Sequence, residues 1–502
     1  MPRRWRTPST STSSILRART GSTRPTSICG SRSAAARDTM TEQAPRGHGA
    51  DLSKQMGYLP LVAVIFFTVS GGAYGIESLV GSLDAGWAMA LIVLTPVFWA
   101  LPIALMVSEL ASALPEEGGY YVWVRQALGD FWGFQEGWWT ICYTTVDMAI
   151  YPVLFVDYLA YFCPSLALSS TGSASSKVLL GRWLVALAVI ASAYLANWRG
   201  VRVVGVSAAV TAVLVLAPFG LFTLLGLHRP GALPAAFSAV RTGLARRNRG
   251  SLLALGMSTV LWNYCGWDNV STFAAEVKQA ARNYPRALVL ALVLIVIGYV
   301  APVMAGISAT TDPALWNESA GWPSVARLVA GPWLGMLVAA MALVSAWSLF
   351  NSQLLYASRL PYAMARDGWL PSLLARLSST TGMPAVALAA VCSTSAMLAV
   401  FPFTKLVVVD ILLYSAGLLL EFLALIALRV QRPDMDRPFR LPGGWPGVLL
   451  ATLCPVSFAA VVAVASVTGD GGNRWQAALV GVFILAGALL YRWRRQSPSP
   501  AK

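Results

Sequence analysis

Twelve runs of about 20 apolar residues, joined by short polar segments, leave this chain few folds to choose from. Lipid offers no partner to a backbone N–H or C=O, so runs of that length are read as helices crossing a bilayer. They span residues 57–83, 87–113, 131–162, 179–198, 203–226, 251–272, 287–309, 332–358, 384–402, 406–428, 446–468 and 475–492. Composition agrees: 56% of residues are hydrophobic and 12% charged, against about 25% charged in soluble domains. The expected fold class is an all-α polytopic membrane protein with about 12 transmembrane helices.

The first run is not a plain helix. Ser70-Gly71-Gly72-Ala73-Tyr74-Gly75-Ile76-Glu77 lies in its middle. Each Gly costs roughly 1 kcal/mol against Ala in a helix interior, and a carboxylate at membrane depth costs about 2.5–3.5 kcal/mol even on the lenient insertion scale. Gly71 and Gly75, a small-xxx-small pair, would on their own mean close helix packing. The sixth run argues otherwise, because Trp262, Asn263, Tyr264, Cys265, Gly266, Trp267, Asp268 and Asn269 crowd its centre. Two interrupted helices at the start of two five-helix halves point to a transporter's midplane site. Free N–H groups at one stub and free carbonyls at the other suit a charged solute.

Several functions are excluded or disfavoured. His48 and His228 both lie outside the runs, so neither a histidine proton relay nor a multi-histidine metal site is available. Cys29, Cys142, Cys163, Cys265, Cys392 and Cys454 show no CxxC spacing, and are read as buried thiols. No phosphate-binding loop, nucleophile elbow or metal-binding helix motif is present. The chain is therefore no enzyme, needs no bound cofactor, and must draw on an ion gradient or passive exchange. Its net charge of +15 reflects basic residues in tails and loops, which fits topology rather than nucleic-acid binding.

Residues 1–55 are rich in Arg, Ser, Thr and Pro and read as a disordered cytoplasmic tail, or as the product of a start assigned upstream of Met40 or Met56. A ten-helix core follows over 56–430, then a linker with helices 11 and 12 over 431–495, and a short tail over 496–502. Placing the N-terminus inside puts 27 of the 37 basic residues on the inner side, 10 in the tail and 17 beyond it, with 10 outside. Both termini are thus expected in the cytoplasm, with the plasma membrane as location. Arg246, Arg247 and Arg249 run against this rule. Residues 115–134 read as an amphipathic helix at the membrane surface.

Candidate site residues cluster at the breaks. Ser70, Gly71, Gly72, Tyr74, Gly75 and Glu77 come from the first, and Trp262, Asn263, Tyr264, Trp267 and Asp268 from the sixth run. Asp147 and Tyr151 join them from the third run, and Tyr414 from the tenth. Aromatic faces hold an ammonium by about 0.5–2 kcal/mol each. Asp157 and Asp410 read as helix-end acids and Glu109 as a cap at the inner end, while Glu421 lies within the tenth run. An intramembrane acid must be paired, protonated or bound to a cation. Glu77, Asp147 and Asp268 are therefore also the candidates for carrying a coupling proton.

FFTVSGGAYGIES, VDMAIYPVLFVDYL, WNYCGWDNVSTFAAEVKQAARNYPRAL, SRLPYAMARDGWLP and LLYSAGLLLEFLALIALRVQRPDMDRPFRLP together resemble the amino acid–polyamine–organocation superfamily. More closely, they are similar to its polyamine:proton symporter branch, over residues 57–445 in order. The resemblance implies the LeuT-type fold, with a 5+5 inverted repeat, interrupted helices 1 and 6, and two extra C-terminal helices. It also implies that Ser70–Glu77 and Trp262–Asn269 line the substrate site, with helices 3, 8 and 10 as walls. Two departures stand out. Ala73 occupies a place where relatives often carry proline, and the fifth run has no lysine to serve as proton carrier, only Arg199 and Arg202 at its inner end.

The expected function is alternating-access import of a small organic cation (a polyamine such as putrescine or spermidine) or an amino acid, coupled to protons. Amino acid permease or exchanger is the alternative, and a channel is a remoter one. Ser345, Ser348 and Ser352 keep sodium open as coupling ion. The partners expected are the small-molecule substrate and lipid, with no nucleic acid and no obligate protein partner.

Overall fold

The computed structural model describes residues 57–116, 118–168, 175–198, 201–246, 250–317, 321–378, 382–468 and 474–496. The N-terminal tail, Arg247 and Arg249, and the end of the C-terminal tail lie outside them. Among the described residues every regular element is helical. We number α1 Tyr58–Val69, α2 Glu77–Ser82, α3 Ala85–Ala113, α4 Tyr120–Leu128, α5 Asp130–Leu159, α6 Ser176–Trp198, α7 Val201–Leu227, α8 Ala232–Ala245 and α9 Gly250–Asn263. There follow α10 Ala280–Ala309, α11 Gly321–Ala330, α12 Pro332–Arg366, α13 Ala385–Leu398, α14 Phe403–Gln431, α15 Gly444–Thr468 and α16 Arg474–Gln496.

Eight of these helices are long and apolar enough to cross a membrane, and α7 with α8 forms a further apolar pair bent by 94°. The remaining three of the twelve runs, the first, sixth and ninth, hold shorter helices. In the first two the shortness is a break. α1 ends with the Ser70 amide donating to the Phe66 carbonyl (2.7 Å), and helix resumes only at Glu77. α9 ends at Asn263 and the chain continues as a 3-10 stretch, Asn269–Glu276. Gly75 (φ +88°) and Gly266 (φ +89°) turn the backbone inside these gaps, in a region costly to any residue with a Cβ.

α5 is the centre of the molecule. In its most apolar stretch 83% of residues are buried, against 22% for α6 and α15 and 17% for α16. α12 and α14 pack along α5, while α1 packs on α10. The outer helices turn leucines such as Leu184, Leu450, Leu485 and Leu489 outward, the surface that lipid covers. α4 is the amphipathic helix expected near residues 115–134. It buries Tyr120, Trp123 and Val124, and Arg125 reaches Asp367 just beyond α12 (2.7 Å). Burial, with Asp367 alongside, pushes the Tyr121 hydroxyl, which donates to that carboxylate, above its ordinary pKa. Arg246 pairs with Asp84 (2.8 Å), so this basic residue on the predicted outer side has its countercharge beside it.

Candidate substrate site

The two breaks touch. A Cβ at Gly266 would stand 3.2 Å from the Thr68 carbonyl, so glycine lets the second break lie against the end of α1. Between them and the wall of α5, α12 and α14 lies a cavity of about 30 Å³, the room of roughly one water molecule. A larger solute enters only if these walls part.

Ser70, Gly71 and Tyr74 line the cavity from the first break, Trp262 and Asn263 from the second. Asp147 and Tyr151, one helical turn apart on α5, face Asp410 and Tyr414, likewise one turn apart on α14. Trp262 Nε1 donates to Asp147 Oδ1 (3.0 Å), and the Tyr151 hydroxyl donates to Asp147 Oδ2 (3.0 Å). Gln353 in turn donates to the Tyr151 oxygen (2.5 Å) and receives the Tyr356 hydroxyl (2.8 Å). Asp410 is 1% exposed, and its Oδ1 has no donor. Among the described residues, the lining holds these two carboxyls and no Lys, Arg or His.

Several carbonyls freed at the breaks are taken up by side chains. Ser345 donates to the Gly71 carbonyl (2.6 Å), Trp322 to that of Ala73 (2.6 Å) and Tyr299 to that of Asn263 (2.9 Å). The Gly266 amide donates to the Tyr414 hydroxyl oxygen (3.2 Å). The charged side chains at the cavity wall are carboxyls.

Other candidates stand behind the wall. Glu77 is the first residue of α2, is buried, and accepts the Tyr158 hydroxyl. Gly75 backs onto the Trp262 ring, where a Cβ would stand 3.0 Å from ring carbon, and Gly72 faces Val215 and Phe219 instead. Tyr264 donates to the Ile92 carbonyl (3.1 Å) and Trp267 to that of Tyr264 (2.8 Å), so both brace the break from outside the cavity. Asp268 receives the Tyr414 hydroxyl (2.6 Å), which joins it to the cavity at one remove. Sequence reasoning did not single out Gln353 or Tyr158, and it set Asp410 aside as a helix-end acid, whereas Asn269, within the stretch expected to line the site, does border the cavity. The spacing of Asp410 to Tyr414 was the available signal.

The model of the amino acid permease family matches residues 59–486. The chain belongs to the amino acid permease family. Among curated permeases, it is 35% identical over 453 residues to the polyamine transporter PUT1 of Oryza sativa subsp. japonica, covering 89% of this chain and 81% of that one. To the polyamine transporter RMV1 of Arabidopsis thaliana it is 33% identical over 410 residues, 82% of this chain and 80% of that one. The aspartate-proton symporter of Bacillus subtilis (strain 168) is 26% identical over 385 residues, 71% of this chain and 68% of that one. A permease of this family is a multi-pass membrane transporter of small molecules and not an enzyme.

Proposed function

We propose that this permease is a proton-coupled importer of polyamines working by alternating access. One observation carries the choice of solute: the cavity lining sets Asp147 and Asp410 beside aromatic rings and offers no basic side chain. An ammonium finds carboxylates and π faces there. The carboxylate of an amino acid finds no cationic side chain among the described lining residues. The polyamine transporters among its relatives support the same choice, and the aspartate-proton symporter supports coupling to protons, with sodium as the alternative ion. Under this reading the breaks of the first and sixth runs belong to a LeuT-type inverted repeat with twelve crossings, two of them the peripheral α15 and α16. The termini are cytoplasmic and the membrane is the plasma membrane.

Competition decides the substrate. In proteoliposomes, uptake of labelled spermidine is expected to be inhibited by putrescine and unlabelled spermidine and not by neutral or acidic amino acids. Inhibition by neutral amino acids without inhibition by polyamines would make the protein an amino acid permease in function as well as family. Replacing sodium at fixed pH is expected to leave the rate unchanged.

Glu77 gives a second expectation. Glutamine keeps an acceptor for the Tyr158 hydroxyl while removing a charge beside the first break. Glu77→Gln is expected to fold normally and to lose gradient-driven uptake by roughly tenfold or more, as befits loss of a buried charge-assisted contact. Wild-type uptake by this variant would take Glu77 out of the mechanism.

A further inference from the structure

Three acids absent from the cavity wall meet at its flank, toward the end of the bundle where α5 begins and α14 finishes. Asp268 receives the Tyr414 hydroxyl of α14 (2.6 Å), and Glu421 lies two turns further along the same face of α14. Glu136 reaches the same place from α5: its Oε1 lies 3.2 Å from where a Cβ would stand at Gly417, between Tyr414 and Glu421 on α14. All three are at most 2% exposed. Among the described residues, no donor reaches Glu136 Oε2 or Glu421 Oε2.

Among the described residues, the surroundings supply no countercharge. Facing Asp268 are Glu136 and Tyr143 from α5, Glu421 and Tyr414 from α14, Tyr120 from α4, Tyr356 from α12 and Cys265 from its own loop. None of these carries positive charge. Three ionised carboxylates buried this close with no cation among them repel too strongly to coexist, so at least one of them bears a proton. The occupant must also be small, because none of the three acids borders the cavity. Among the described residues no group of three His, Cys, Asp or Glu is placed to hold a metal ion.

Granted the coupled transport proposed above, we propose that Asp268, Glu421 and Glu136, buried along one face of α14, form the site of the coupling proton. Tyr414 connects it to the solute: its hydroxyl borders the cavity, donates to Asp268 and accepts the Gly266 amide. Wall movement that admits a solute therefore shifts the donor to Asp268. When that end of the bundle opens to water, the proton leaves to solvent and the freed carboxylate is hydrated.

Two measurements test the site. Infrared spectra of the wild-type protein in lipid at neutral pH are expected to show the carbonyl stretch of a protonated carboxyl, diminished in Glu421→Gln. Its absence from the wild type, or an unaltered band in the variant, overturns the proposal without any transport assay. In proteoliposomes, one pH unit drives about tenfold accumulation per proton. Glu421→Gln and Glu136→Gln are expected to lose that tenfold gain, falling much further in accumulation than in spermidine exchange at equal pH. Accumulation equal to wild type in both variants refutes the site. A wild type indifferent to the pH gradient refutes proton coupling itself, so the two failures are told apart.

Discussion

Asp147→Asn is expected to raise the apparent KM for spermidine by about 30-fold at the least, and by several thousand-fold at the most. The range follows from the cost of truncating one partner of a buried, hydrogen-bonded charge pair, about 2–5 kcal/mol, at about 1.4 kcal/mol per factor of ten. Asparagine has the same shape and keeps one oxygen to accept both Trp262 Nε1 and the Tyr151 hydroxyl, which already lies 3.1 Å from Oδ1. Trp262, Tyr151 and Gln353 then have no reason to move. What disappears is the negative charge at the cavity wall. Asp410 remains on the facing helix, so residual binding of a shorter diamine is expected to exceed that of spermidine. Concentration-dependent uptake in proteoliposomes provides KM, and an unchanged melting temperature shows that the fold is intact. A KM within threefold of wild type would deprive the cation reading of its principal ligand.

The helix breaks were legible in sequence because nothing else explains Gly71, Gly72, Gly75 and Glu77 in an apolar run, or Asn263 to Asn269 in another. Both gaps are present, at Val69–Glu77 and at Asn263–Asn269. Their content was legible only by neighbourhood. Trp262 and Asn263 face the cavity, whereas Tyr264 and Trp267, as close to the break, turn to the Ile92 and Tyr264 carbonyls. An amphipathic period tells core from water in a soluble helix. A helix buried on nearly all sides has no polar face to mark its orientation, and α5 and the second break are of this kind.

The acids carry the same lesson. Charge at membrane depth announces that a residue matters without saying how. Asp157 is held by Arg182 from α6, a partner separated by a loop that sequence could not fold. Asp410, near the start of its helix, borders the cavity. Glu136 lies where the apolar third run begins and is buried against Gly417 of α14. These fates differ through tertiary neighbours, which a single sequence records only after folding brings them together.

Glu109 takes that distinction to its other limit, and Glu109→Gln is expected to destabilise the protein without touching the site. The carboxylate is 1% exposed. Oε1 receives Arg429 Nε at 2.8 Å and stands 3.5 Å from Arg437, while Oε2 receives the Leu441 amide at 2.7 Å and the second arm of the Arg429 guanidinium. One acid thus fastens α3 to the end of α14 and to the linker before α15. The side chains of Arg429 and Arg437 are only 12% and 4% exposed. Arg437 is otherwise spent on the Leu428, Arg432, Met435 and Pro433 carbonyls. Glutamine would leave two nearly dry guanidiniums facing each other with no negative charge between them. Removing one partner from a buried ion pair costs about 3–5 kcal/mol, a large part of the roughly 5–15 kcal/mol that holds a folded domain. A lower yield of monodisperse protein and a clearly lowered melting temperature are therefore expected. Whatever Glu109→Gln protein survives should retain the wild-type KM for spermidine, because Glu109 does not border the cavity. A variant melting with the wild type would show that water or a rearranged linker replaces this carboxylate at little cost.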